Sequence, residues 1–210
     1  MSGGAGGGAP VARGRAVLLR PPTAGDEAAF LAMVRASRRL HRPWVSPPDD
    51  AVGFMAYLER LGGDQHRGFL VCRLHDGAIA GVVNLNNIVR GTWRSASLGY
   101  YAHAGLAGQG NMAEGVALVL RHAFGALRLH RVEANIVPEN AASRRLVQRQ
   151  GFCLEGYSPR FLKVGGRWRD HERWALTIED WRARCAAGKG AQRGSAVTPM
   201  TSGWSSRSTA

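Results

Sequence analysis

A chain of 210 residues, 45% of them apolar, can bury one α/β-sized core and is too short for two comfortable domains. Its formal net charge of +13, from 28 basic and 15 acidic residues, suits an anionic partner such as a phosphorylated cofactor or an RNA surface, although arginines scattered singly also simply solvate a surface. Cys72, Cys153 and Cys185 lie far apart with no zinc-site spacing, which predicts reduced thiols without a metal. No run nears the ~20 apolar residues of a membrane span and the opening lacks the apolar stretch of a secretory signal, so a cytoplasmic protein is expected.

The glycine-rich residues 1–14 and the Gly/Ser/Thr/Arg-biased residues 184–210 lack apolar periodicity, which predicts disordered ends around one domain over 15–183. Residues 16–20 (AVLLR) read as a strand stopped by Pro21-Pro22. Thr23 caps a helix with Asp26 and Glu27 in its first turn and Phe30, Leu31, Val34 and Leu40 near helical spacing. After a break at HRPWVSPP, Asp49 and Asp50 open a second helix, with Val52, Phe54, Met55, Tyr57, Leu58 and Leu61 on its apolar side and Gly62-Gly63 at its close. Three runs at 68–74, 78–89 and 96–102 form an antiparallel meander. A helix over 108–125 then leads to a strand at 131–137, a βαβ unit that makes the fourth and fifth predicted strands parallel. A helix over 140–151 and strands near 152–164 and 173–178 complete the pattern.

Chemistry concentrates in two places. Gly108-Gln109-Gly110-Asn111-Met112 joins a strand to a helix, where glycines let the backbone approach a ligand and free N–H groups at the helix start suit a pyrophosphate. The same sequence also fits a turn with no ligand. Downstream, Asn140 caps a helix and Ser143 follows one turn later on the same side, an arrangement that plain capping also explains.

Further matches follow in a fixed order. They are Arg39 to Trp44, NIVRG at 87–91, LGY at 98–100, GQGNMAEG at 108–115, HRVEAN at 130–135, PENAAS at 138–143, GF at 151–152, EGY at 155–157 and GRWRDH at 166–171. With these the chain resembles the GNAT acetyltransferases over about residues 18–178, and within them the RimJ/RimL branch, closest to its RimJ members. The resemblance implies an α+β GNAT fold in a single domain. Its twisted mixed sheet would have seven strands, with about four helices and with strands four and five splayed for acetyl-CoA. The pantetheine arm would run beside Ala102, and the pyrophosphate would sit on the amides of Gly108, Gln109, Gly110, Asn111 and Met112. Asn140 would contact the cofactor, and Ser143 would lie near the thioester sulfur. Ala107 departs from the family's usual Gln or Arg, and Met112 from its usual Gly or Ala.

Attack of a neutral amine on a thioester needs a lost ammonium proton, a stabilised oxyanion and a proton for the departing thiolate. The family does this directly, without an acyl-enzyme. By resemblance Ser143 is the acid, because Val147 stands where related enzymes carry a tyrosine. Glu133 is the leading candidate base, and Asn135 stands in place of a glutamate and orients a water. His103, Asp170 and His171 are alternatives. Trp44 and Phe161 are expected to wall the acceptor groove, with Asn84 and Asn86 holding the acceptor backbone, although core packing and loop pairing would explain all four. The activity these readings imply is acetyl-CoA-dependent N-acetylation of a protein's N-terminal α-amine, with no metal. The resemblance points to a ribosomal protein, namely the N-terminal alanine of S5. The basic charge leaves room for ribosome contact, and no membrane contact is expected. The alternatives are a small-amine (aminoglycoside or polyamine) acetyltransferase and a non-catalytic acetyl-CoA-binding or ribosome-associated protein.

Overall fold

Residues 69–72 alternate across a sheet, with Phe69 and Val71 entering one apolar cluster and Leu70 and Cys72 another, so their strand is buried on both faces. The computed structural model describes residues 8–193, with side chains through Ala187. Its strands are β1 (Ala12–Arg13), β2 (Val17–Arg20), β3 (Arg67–Arg73), β4 (Ile79–Val89), β5 (Ser95–Ala102), β6 (Arg131–Ile136), β7 (Cys153–Val164) and β8 (Arg167–Thr177). They form one sheet in the order β1-β2-β3-β4-β5-β6-β8-β7, antiparallel throughout except between β5 and β6.

The helices are α1 (Glu27–Ala36), α2 (Arg38–His41), α3 (Ala51–Leu61), α4 (Asn111–Gly125), α5 (Ala141–Gln150) and α6 (Ile178–Arg193). One face of the sheet is covered by α1 and α3 through Phe30, Phe54 and Tyr57, with the Phe30 and Phe54 rings 4.8 Å apart. On the other face α4 and α5 contribute Val116, Val119, Leu120, Ala123 and Val147. Here α4 lies close on β3, since a Cβ on Gly115 would stand 2.7 Å from a methyl of Val71.

Several elements differ from expectation for local reasons. The first helix breaks at Ser37, which is buried and accepts a hydrogen bond from the Ala104 amide at 2.8 Å, so α2 swings toward the end of β5. The sheet has eight strands rather than seven because Ala12–Arg13, inside the glycine-rich opening, adds to β2, and the Glu114 carboxylate accepts from the Ala16 amide at 3.1 Å to hold the intervening turn. The last strand begins at Arg167, six residues before the expected 173. Most of β7 and the first two residues of β8 are exposed, so this polar run lacks the alternation that marks a half-buried strand. Helix α6 reaches Arg193, into the stretch expected to be disordered. The rest of that expectation, for residues 1–7 and 194–210, lies outside the described residues. Among the described residues no helix is long and apolar enough to cross a membrane.

The feature that positions the site is the parallel seam. β5 and β6 pair only at Ser95↔Arg131, Ala96↔Val132 and Ser97↔Glu133. Beyond Ser97 they part: β5 runs on to Ala102 against Gly81 of β4, and β6 to Ile136 against Glu172 of β8.

Candidate active site

Where the strands part, a cleft of about 360 Å³ opens between the end of β5, the loop before α4, the first turns of α5 and the end of α2. The chain leaves β5 through a turn at Ala104–Leu106, in which His103 Nδ1 accepts from the Gly105 amide at 3.1 Å. It then takes left-handed backbone at Gly108 (φ 78°) and Gly110 (φ 84°), a conformation that glycine adopts at least cost. Gly110 caps α4, and a Cβ at either glycine would meet nothing within 4 Å. Among the described residues no protein acceptor takes the amides from Gly108 to Ala113, so their donors and the positive end of α4 face open space. Met112 fits behind this loop because β4 carries Gly81, where a Cβ would lie 2.4 Å from the Met112 sulfur.

Across the cleft, Asn140 caps α5 by accepting from the Ser143 amide at 3.1 Å. The Ser143 hydroxyl lies 2.6 Å from the phenol of Tyr100, which crosses from β5, and burial pushes that phenol's pKa up to about 12. Arg145 and Arg149, one turn apart on α5, line the same cleft, and its lining includes no carboxylate. At the α2 side, His41 Nε2 lies 2.8 Å from the Ala102 carbonyl. A carbonyl only accepts, so this nitrogen carries the hydrogen and Nδ1 is left buried without a partner among the described residues. Burial lowers the pKa of His41 and keeps the ring neutral.

Of the residues singled out from sequence, Trp44, Ala102, Gly108, Gly110, Asn111, Met112, Asn140 and Ser143 line the cleft. Gln109 sits exposed between the two glycines, its amide nitrogen 3.4 Å from the Gly105 carbonyl. Asn135 stands at the fork, with Nδ2 3.5 Å from Ser97 Oγ and Oδ1 buried without a partner among the described residues. The other residues singled out lie elsewhere. Glu133 occupies the last paired position, away from the cleft lining, and its two oxygens are held by Arg131 at 2.7 Å and Arg173 at 3.1 Å. Asn84 is buried and accepts from the Tyr57 hydroxyl at 2.7 Å, which ties α3 to β4. Asn86 lies 3.3 Å from His66 Nδ1, and Phe161 stacks under the Arg173 guanidinium at 4.4 Å, so neither borders the cleft. Asp170 accepts from the Arg160 amide at 2.7 Å and from the Tyr157 hydroxyl, while His171 is buried with Nδ1 2.9 Å from the Arg169 carbonyl.

A family model described as an acetyltransferase (GNAT) domain matches residues 16–153, which include the loop, the parted strands and α5. The chain belongs to the GNAT acetyltransferase family. It is 40% identical over 153 residues to the ribosomal protein uS5-alanine N-acetyltransferase of Escherichia coli (strain K12), covering 69% of this chain and 79% of that protein. The solved structure of Mycobacterium smegmatis RimJ in complex with CoA-disulfide matches with a TM-score of 0.73 and 31% identity, over 82% of this chain and 89% of that one. A Vibrio cholerae spermidine N-acetyltransferase, solved with CoA and spermine, shares the fold at a TM-score of 0.68 and 20% identity, over 79% and 98% of the two chains. This GNAT chain is thus an N-acetyltransferase of the RimJ/RimL type, and GNAT enzymes use acetyl-CoA.

Polar residues of the cleft lining that the sequence did not single out include His41, Tyr100, Arg145 and Arg149. A signal existed for Tyr100, which follows Leu98 at strand spacing and so shares its face, the one on which α5 packs. His41 lay within the matched run Arg39 to Trp44, but only its contact with Ala102, 61 positions away in sequence, sets it apart.

Proposed function

We propose that this enzyme acetylates the N-terminal α-amine of a protein, and that its acceptor is a ribosomal protein, as the name of its uS5-alanine relative states for that enzyme. The observation that carries the reading is the seam open beyond Ser97, with unspent amides at one end, the Ser143 hydroxyl in its wall and no carboxylate lining it. The amides of Gly108 to Met112 hold the pyrophosphate of acetyl-CoA, and Arg145 and Arg149 supply positive charge beside it. The pantetheine arm runs past Ala102 and Asn140, and the thioester lies between the parted strands with its sulfur beside Ser143.

The chemistry balances without an acyl-enzyme. The neutral amine attacks the thioester carbon, a C–N bond forms, and the C–S bond breaks with its electron pair on sulfur. Ser143 gives its hydrogen to that sulfur and recovers one from the nitrogen, which sheds a proton as it becomes an amide; Asn135 orients a water that carries it. Glu133, clamped by two guanidinium groups, takes no part.

The weakness of the available bases selects the acceptor. At pH 7, neutralising an α-amine of pKa ~8 costs about 1.4 kcal/mol, against roughly 4.6 kcal/mol for a lysine of pKa ~10.4. A polyamine keeps further ammonium charges that call for carboxylates, and none lines the cleft. The test is steady-state kinetics with a peptide carrying both a free N-terminus and a lysine, with spermidine assayed in parallel. α-Acetylation is expected to dominate, and preferred ε-acetylation or preferred spermidine turnover defeats the reading. Labelled acetyl-CoA with a deacetylated ribosomal extract, read by mass spectrometry, then names the acceptor.

A further inference from the structure

We propose that Tyr100 is a positioning residue for the transfer step, aiming the Ser143 hydrogen into the cleft and steadying the oxygen that it leaves. The proposal rests on the reading of Ser143 as the proton donor to sulfur.

Tyr100 lies on β5 beyond Ser97, where β6 no longer pairs, and its hydroxyl closes the gap to α5 by a contact of 2.6 Å with Ser143 Oγ. The Ser143 carbonyl, 3.2 Å from the same hydroxyl, is a second acceptor for the one phenol hydrogen, and Oγ is the closer of the two. The two hydroxyls share one short hydrogen bond, and a phenol is the better donor of the pair while an alkyl hydroxyl is the better acceptor. With Tyr100 donating to Oγ, the Ser143 hydrogen is left free to point away from the ring, toward the cleft that both residues line. Burial of the phenol raises its pKa to about 12, so Tyr100 keeps its proton throughout the working range and never relays it. As Ser143 passes its hydrogen to sulfur, negative charge grows on Oγ. The Tyr100 O–H already aimed at that oxygen strengthens as the charge develops.

The alternative for a helical serine is to turn its hydroxyl back onto a carbonyl of the preceding turn, where the hydrogen is lost to the cleft. A phenol donating from the β5 side favours the rotamer that keeps Oγ beside Tyr100. The Ser143 backbone is fixed separately, through its amide bond to Asn140 Oδ1 at 3.1 Å, so losing the phenol hydroxyl frees the side-chain rotor and leaves the helix cap in place.

The test is a double-mutant cycle with Tyr100→Phe, Ser143→Ala and the double variant. kcat is referred to sites counted by CoA binding, so that a partly folded preparation does not pass for a slow one. Ser143→Ala is expected to lower kcat about 100-fold, and Tyr100→Phe about tenfold with KM for acetyl-CoA within twofold and the shape of the kcat–pH profile kept. The double variant should be no slower than Ser143→Ala, because Tyr100 acts only through the hydroxyl already removed. An unchanged kcat in Tyr100→Phe, a loss confined to KM, or a double variant slower by the full product of both losses overturns the proposal and leaves Ser143 as the acid. Wild-type kcat in Ser143→Ala overturns the reading of Ser143 itself, and the role of Tyr100 with it.

Discussion

The two ends of the β5–β6 seam are built from neighbouring residues and are chemically opposite. At the closed end, Ser95, Ala96 and Ser97 pair with Arg131, Val132 and Glu133, and the Glu133 carboxylate is neutralised by Arg131 and Arg173, with Arg131 also engaging Glu155. At the open end, Tyr100 and Ala102 border a cleft in which the amides of Gly108 to Ala113 and His41 Nδ1 have no partner among the described residues. What differs is whether a polar group has been spent. A carboxylate between two guanidinium groups holds strands together, with each of its oxygens already engaged. Donors stranded where the strands diverge are free for a ligand, and their desolvation would be costly unless one arrived.

The largest effect that separates the two ends is expected at Gly110. Alanine there must hold φ near 84°, which costs about 1–2 kcal/mol for a residue with a Cβ, and it displaces the first amides of α4 from their aim. Gly110→Ala should raise KM for acetyl-CoA about tenfold, roughly 1.4 kcal/mol of binding, with a smaller change in kcat. An unaltered KM would mean that this loop does not grip the cofactor. At the closed end, Glu133→Gln keeps the side-chain shape and removes its charge from both arginines. The site is partly open to solvent and screened, so the variant should lose about 0.5–1 kcal/mol of stability in denaturant melts while kcat stays within a factor of two. A kcat loss of 100-fold or more would reinstate Glu133 as the general base and dissolve the contrast.

The sequence made the open end easier to read than the closed one. Gly108, Gly110, Asn140 and Ser143 are local signals, since turn glycines and helix caps owe their conformations to residues within one turn. The pairing between Tyr100 and Ser143 spans 43 positions, and the clamp on Glu133 by Arg173 spans 40, so neither could be read from local spacing. The placement of Asn84, Asn86 and Phe161 away from the cleft lining was illegible for a related reason. Their residue types suit an acceptor groove, but Asn84 meets Tyr57 of α3, Asn86 meets His66, and Phe161 meets Arg173, partners that only the packed fold supplies. The extra strand Ala12–Arg13 and the early start of β8 were hidden by composition, because glycine and exposed polar runs carry no apolar period.

The smallest effect concerns pH and again sets the open end apart. His41, His122 and His171 all have pKa values lowered by burial, so the folded chain resists protons that the unfolded chain takes up below about 6.5. Stability should therefore fall as pH drops below that value and level off once the lowered pKa values are passed, each histidine contributing at most ~1.4 kcal/mol per pH unit. His41 is the member at the cleft, and protonating it would place a charge between the Tyr101 ring and the Ala102 carbonyl, with Nδ1 still unpartnered. His41→Gln can still donate to that carbonyl but does not titrate. Its thermal midpoint should lie near that of the wild type at pH 7.5 and decline less steeply toward pH 5. Parallel declines in the two proteins would locate the acid sensitivity at His122 and His171, away from the open end of the seam.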